Sequence, residues 1–119
     1  MRAFAQRGLM RYLKGLLDDA IADYTRALDI DPRQYKALYN RGNALWDLGR
    51  LDDAIPDYTR ALDISPGFYE AIANRGLAYA IRGDTEEAIA DFVRALEVAP
   101  PDWPRRPRMQ GELDKLRRK

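Results

Sequence analysis

The chain contains no cysteine and no histidine. These two absences remove disulfides, thiol nucleophiles, most zinc ligand sets and the commonest general base. A chain without thiols is also indifferent to redox state, so this feature says nothing of compartment. No stretch approaches the ~18 apolar residues that span a membrane, and the N-terminus lacks the basic, apolar and small-residue succession of an export signal. No membrane insertion is expected, and cytoplasm is the default location. An excess of one charge is missing too: 20 Lys and Arg face 19 Asp and Glu, and a net charge of +1 gives no electrostatic ground for nucleic-acid binding. What is present, 46% hydrophobic and 33% charged residues in a chain of 119, is the composition of one folded domain.

Self-similarity organises the sequence. Pro32, Pro66 and Pro100 are 34 residues apart, and the same step links Gly8, Gly42 and Gly76; Gly15, Gly49 and Gly83; Ala20, Ala54 and Ala88; and Ala27, Ala61 and Ala95. Residues 15–32 and 49–66 differ at only three places, Leu16/Arg50, Ala22/Pro56 and Asp31/Ser65, which excludes chance. Each unit reads as helix, turn, helix. Leu38, Gly42 and Leu45, like Ile72, Gly76 and Tyr79, recur at the spacing of one helix face, and that face is expected to meet the second helix. Ala54, Ile55, Tyr58, Ala61 and Leu62 form the matching stripe, with Asp57, Arg60 and Asp63 on the other side.

The boundaries carry their own chemistry. Gly15, Gly49 and Gly83 stand where the first helix must stop in a left-handed cap. Asp18-Asp19, Asp52-Asp53 and Glu86-Glu87 open the second helix, where free N–H groups and the positive dipole end favour carboxylates. The prolines close it, because the residue before a proline is pushed out of the α region. Gly42 opposite Ala54 and Ala61 predicts a close helix crossing, with Tyr58 filling the space beside it.

A 34-residue period with Gly, Gly, Ala, aromatic, Ala and Pro at fixed offsets resembles the tetratricopeptide repeat family across residues 1 to about 102. The resemblance implies an all-α fold: a right-handed superhelical solenoid of three helix-turn-helix repeats, at 1–34, 35–68 and 69–102, closed by a C-terminal capping helix at 103–119, together one domain. The chain departs from the family where Arg7, Arg41 and Arg75 precede the packing glycine. These arginines are expected to snorkel towards Asp23, Asp57 and Asp91 as a repeated structural ion pair.

Beyond Pro100 the pattern changes. Residues 101–119 hold seven Lys or Arg against three acids, and Met109, Leu113 and Leu116 keep a helical stripe with no second helix after it. This is the pattern of a cap over the last hairpin's apolar side, with Trp103 anchoring its start and the basic residues solvated rather than gathered for lipid or RNA. At the other end no capping residue precedes Arg2, Ala3 and Phe4, as in a fragment of a longer protein.

No nucleophile and base can be paired from Thr25, Thr59, Ser65 and Thr85, and the Asp-Asp pairs recur as helix starts without convergent partners. No catalytic, metal or cofactor site is expected, and no enzyme. The family resemblance implies instead a concave groove lined by first helices. Those positions are Arg2, Ala5, Gln6, Leu9, Tyr12 and Leu13; then Lys36, Tyr39, Asn40, Asn43, Trp46 and Asp47; then Glu70, Ala73, Asn74, Leu77, Ala80 and Ile81. Leu9, Tyr12, Leu13, Tyr39, Trp46, Leu77 and Ile81 would make this wall apolar, and Asn40, Asn43 and Asn74 would bond a ligand's backbone. The expected function is a protein-interaction scaffold or adaptor for an apolar or amphipathic peptide, with self-association by repeat stacking or groove exchange as the alternative. The family's clamp for a chaperone's terminal carboxylate uses Lys and Asn on the first inner helix, Asn on the second, and Lys and Arg on the third. Ala5, Leu9, Asn40, Glu70 and Asn74 stand there, and only Asn40 agrees, so no chaperone carboxylate-tail clamp is expected.

Overall fold

Three glycines set the layout. Gly15, Gly49 and Gly83 are the only positive-φ residues among those described, at +80°, +80° and +89°. In each turn the glycine N–H bonds a carbonyl three residues back and the next N–H reaches five back. At the second turn these bonds are Gly49 N to Trp46 O (2.8 Å) and Arg50 N to Leu45 O (2.8 Å). This double closure satisfies the last carbonyls of the first helix, and a side chain with a Cβ would be strained at that φ.

The protein's structure, a computed structural model, describes residues 2–118, apart from the side chain of Arg2; Met1 and Lys119 lie outside the described residues. Among the described residues there are seven helices and no strand: α1 (Arg2–Leu13), α2 (Leu17–Ile30), α3 (Tyr35–Asp47), α4 (Leu51–Ile64), α5 (Tyr69–Arg82), α6 (Thr85–Val98) and α7 (Arg106–Arg117). They form two compact units, an N-terminal one of Met1–Pro66 and a C-terminal one of Gly67–Lys119. In the first, α1 pairs with α2, α3 with α4, and α2 with α3; in the second, α5 pairs with α6 and α6 with α7. No described helix is long and apolar enough to cross a membrane.

The second helices begin one residue before their acidic pairs, at Leu17, Leu51 and Thr85, and none has a side-chain cap bond. The acids therefore act through charge at the dipole end of the first turn, not as caps. Asp31 leaves α2 in extended geometry (φ −140°) ahead of Pro32, and Ser65 leaves α4 outside the α region (φ −130°, ψ 83°) ahead of Pro66. Pro56 sits inside α4, where it withholds one N–H from the helix ladder.

The hairpin contact is as close as the glycines predict. A Cβ on Gly42 would stand 2.8 Å from Tyr58 Cε1, and at Gly8 and Gly76 the nearest atoms are Tyr24 Cε1 and Phe92 Cε1, each at 2.9 Å. The glycine thus faces the aromatic ring itself. Tyr24, Tyr58 and Phe92 are fully buried, as are Ala20, Ala54, Ala61 and Ala88.

The Arg–Asp pairs form as the spacing predicts. Arg41 donates from Nε and Nη2 to Asp57 Oδ2 and Oδ1, both at 2.8 Å, and Arg75 grips Asp91 with the same two distances. Arg7 does so with Asp23 at 3.0 and 2.8 Å, joined by Arg11 at 3.0 Å. All three carboxylates are buried, and the Arg7 guanidinium holds the Asp23 carboxyl below its usual range despite that burial.

Candidate functional site

In the N-terminal unit, α1 and α3 present most of the residues expected to line a wall. Leu9 and Leu13 are exposed, the latter at 73%, while Tyr12, Tyr39, Asn40, Asn43 and Trp46 are part-buried. Tyr12 leans on the hydrophobic core. Its hydroxyl is pushed up to about 12, first by burial and then by a hydrogen bond to Asp47. Tyr39 lies tilted against Tyr58, ring centroids 6.0 Å apart. Asn43 is already at work inside the hairpin: its Oδ1 accepts from the buried Tyr58 hydroxyl at 2.6 Å. Trp46 and Tyr12 occupy the same place in successive repeats, and both keep part of their surface open.

The same two helices border a cleft of about 450 Å³, lined by Ala5 of α1, by the turn residues Asp31, Arg33 and Gln34, and by Tyr35, Lys36, Ala37 and Asn40 of α3. Gln34 donates to the Ala27 carbonyl at 2.9 Å and so ties the turn to the end of α2. Asp31 turns back on its own loop, accepting from the Arg33 backbone N–H at 3.1 Å. The charged residues that line the cleft are thus Arg33 and Lys36 against Asp31.

In the C-terminal unit the corresponding surface is engaged by the chain's own following segment. Trp103 is buried, sets its ring edge-on to Tyr69 at 5.2 Å, and donates from Nε1 to Glu70 Oε2 at 3.1 Å. Arg105 donates to Glu70 Oε1 at 2.7 Å and to Asn74 Oδ1 at 2.9 Å. Asn74 is therefore held within the chain and Leu77 is buried, whereas Ile81 is 63% exposed. Trp103 anchors the start of the C-terminal helix as the sequence suggests. The role of Arg105 was missed, although a signal existed: the 34-residue step runs from Tyr35 through Tyr69 to Trp103, and breaks two residues later where Arg105 replaces the alanine of Ala37 and Ala71. Among the described residues no group of three or more Asp and Glu could hold a metal ion.

Comparison with known proteins agrees with this architecture. The family model described as tetratricopeptide repeat matches residues 6–67 and again 39–104. No curated protein matches the sequence. Among solved structures, the second repeat domain of human RPAP3, in complex with the HSP70 peptide SGPTIEEVD, is 28% identical. The match covers 98% of this chain and 93% of that one at a TM-score of 0.86. MamA is 31% identical over 81% of this chain and 56% of its own, with a TM-score of 0.79. The type III secretion chaperone SycD of Yersinia enterocolitica, in complex with a peptide of the translocator YopD, is 15% identical, covering 98% and 91% at a TM-score of 0.91, and so shares the fold. With the repeat period, the glycine–aromatic crossings and a family model matched over most of its length, the chain belongs to the tetratricopeptide repeat family.

Proposed function

We propose that this chain is a protein-interaction scaffold whose first helices seat an apolar or amphipathic peptide segment, working in the cytoplasm and without a catalytic role. The observation that carries the reading is the open side of the N-terminal unit, where Leu9, Tyr12 and Leu13 of α1 and Trp46 of α3 keep exposed surface, and where Ala5 and Asn40 of the same two helices line a cleft. Large aromatics flanked by polar hydrogen-bonding groups are the usual energetic anchors of an interface. The RPAP3 domain holds a peptide on the same fold at 28% identity, which supports a peptide as the ligand class. Peptides selected from a random library on the intact protein should be apolar or amphipathic. Trp46→Ala should weaken them by about 2 kcal/mol while leaving helix content unchanged, and Asp63→Ala should do neither. Unchanged affinity in the Trp46 variant would sink the reading.

The RPAP3 complex contains an acidic chaperone tail, which counts against excluding such tails. Our reading leaves them out for this chain, because Ala5 and Leu9 supply no cation and the charge of Arg105 is already balanced by Glu70. A peptide ending in Glu-Glu-Val-Asp should show no saturable binding at physiological salt; micromolar affinity, abolished by amidating its terminus, would overturn this. The exposed strip Leu9, Met10, Leu13 and Leu16 favours a second reading, self-association, which concentration-dependent mass in sedimentation would reveal.

A further inference from the structure

The three hairpins repeat one contact, and the first repeats it incompletely. In each, an aromatic ring of the second helix lies against a glycine of the first, its Cε1 2.8 or 2.9 Å from where a glycine Cβ would stand. In the second hairpin the Tyr58 hydroxyl donates to Asn43 Oδ1 at 2.6 Å. In the third, donor and acceptor are both missing: Phe92 stands at the ring position and Leu77, 8% exposed, at that of Asn43. The first hairpin keeps the donor and lacks the acceptor. Tyr24 is fully buried, its hydroxyl has no partner among the described residues, and Leu9 occupies the place of Asn43. A buried hydroxyl left unbonded carries a desolvation cost that phenylalanine would not. Unlike Leu77, Leu9 is 42% exposed and stands on the candidate wall, so the mismatch falls where a ligand is expected.

We infer that the Tyr24 hydroxyl is a donor that a bound ligand satisfies, and that the wall at Leu9 is a subsite for an Asn or Gln side chain of a bound peptide. This rests on the peptide-binding reading above and names the side chain that one subsite selects. The peptide's carboxamide displaces the Leu9 side chain, and its carbonyl oxygen accepts from Tyr24 as Asn43 Oδ1 accepts from Tyr58 in the next hairpin. Two effects favour this neutral acceptor over a carboxylate. An ion loses more hydration than an amide on entering a buried place. A carboxylate is also present there already: the Tyr12 hydroxyl, with Tyr24 among its electrostatic neighbours, is hydrogen-bonded to Asp47.

The test uses the full chain and the tightest peptide selected from a random library, fluorescein-labelled, remade with Gln, Glu or Leu at each position in turn, and read by anisotropy. At one position Gln should bind about tenfold more tightly than Leu or Glu, the effect of one buried hydrogen bond to a donor that otherwise has none. Against Tyr24→Phe that ratio should fall to about one. Leu9→Asn supplies the acceptor from the chain itself and should erase the ratio too. Without peptide, a double-mutant cycle should couple the two positions: Tyr24→Phe should lower the melting temperature of the Leu9→Asn variant and not that of the parent. No position that favours Gln, or a preference that survives Tyr24→Phe, overturns the proposal. So does a cycle without coupling, which would put Leu9 out of reach of the hydroxyl. Trp46→Ala separates this inference from the reading beneath it. If the variant binds the selected peptide as tightly as the parent while the Gln ratio holds, the wall reading fails and the subsite stands; if it binds more weakly and Gln gives no advantage, the reverse is true. A library that yields no binder overturns both.

Discussion

The second helices of the N-terminal unit's two hairpins are nearly the same sequence twice, yet the hairpins satisfy their buried polar groups differently. In the second, the Tyr58 hydroxyl donates to Asn43, and Arg41, only 18% exposed, reaches from Asp57 to Thr25 of α2 at 3.2 Å. In the first, Leu9 stands where Asn43 would be and the buried Tyr24 hydroxyl has no partner among the described residues, while Arg7 is 52% exposed and Asp23 recruits Arg11 as well. The inner hairpin, with α2 packed on α3, closes its polar network. The outer one, whose α1 lacks a helix on that side among the described residues, leaves apolar side chains and a half-wet guanidinium outward. The shared helical-hairpin pattern therefore leaves room for surface chemistry to diverge, and the divergence falls on α1 and α3, the helices of the candidate wall.

The largest expected contrast is between the arginines. Arg41→Ala strands the Asp57 carboxylate in the interior and should cost about 3–5 kcal/mol. Arg7→Ala should cost less than half of that, because Arg11 remains on Asp23 and solvent already reaches the pair. Equal losses in chemical denaturation would erase the distinction drawn here.

Next comes the proline. Ala22→Pro, which copies Pro56 into α2, should cost about 3 kcal/mol through one lost ladder bond and a ring clash. Pro56→Ala should raise the melting temperature by less than the mirror loss, since restoring chain entropy to the unfolded state offsets part of the gain. A fall in stability for Pro56→Ala would mean that α4 is built around its proline.

Smaller still is the pair of hydroxyls. Tyr58→Phe should cost about 1–3 kcal/mol by leaving Asn43 without its donor, whereas Tyr24→Phe should be neutral or stabilising. Burial pushes the hydroxyls of Tyr12 and Tyr24 up to about 12 from an ordinary 10.0. Both are held protonated by the fold, so their contribution is present below pH 10 and is lost as pH rises towards 12. Alkaline melts of Tyr24→Phe should accordingly be flatter over that interval than those of the parent.

How much of this was legible depends on whether a residue acts within its repeat. The glycine stops, the glycine–aromatic crossings and the Arg–Asp pairs recur every 34 residues, and a contact repeated three times is written into the sequence as a spacing. The pairing of Asn43 with Tyr58 occurs once, with Leu9 and Leu77 at the equivalent places, so no period exposes it. The hold of Arg105 on Glu70 and Asn74 was hidden for a similar reason. It joins the last repeat to a segment outside the period, and only the aromatic step to Trp103 marks the way. Exposure at Leu77 was misjudged because periodicity along a helix shows which residues share a face, not how deeply each is buried.

Labelling the two tryptophans with 5-fluorotryptophan, which changes one ring hydrogen to fluorine, tests the central claim. Trp46 is part-exposed on the candidate wall and Trp103 is buried against Tyr69 and Glu70, so the ¹⁹F spectrum contains its own control. On titration with a library-selected peptide, the Trp46 resonance should move saturably with the binding isotherm while that of Trp103 stays in place. A peptide that binds while the Trp46 signal remains fixed would show that the ligand sits elsewhere and contradict the account.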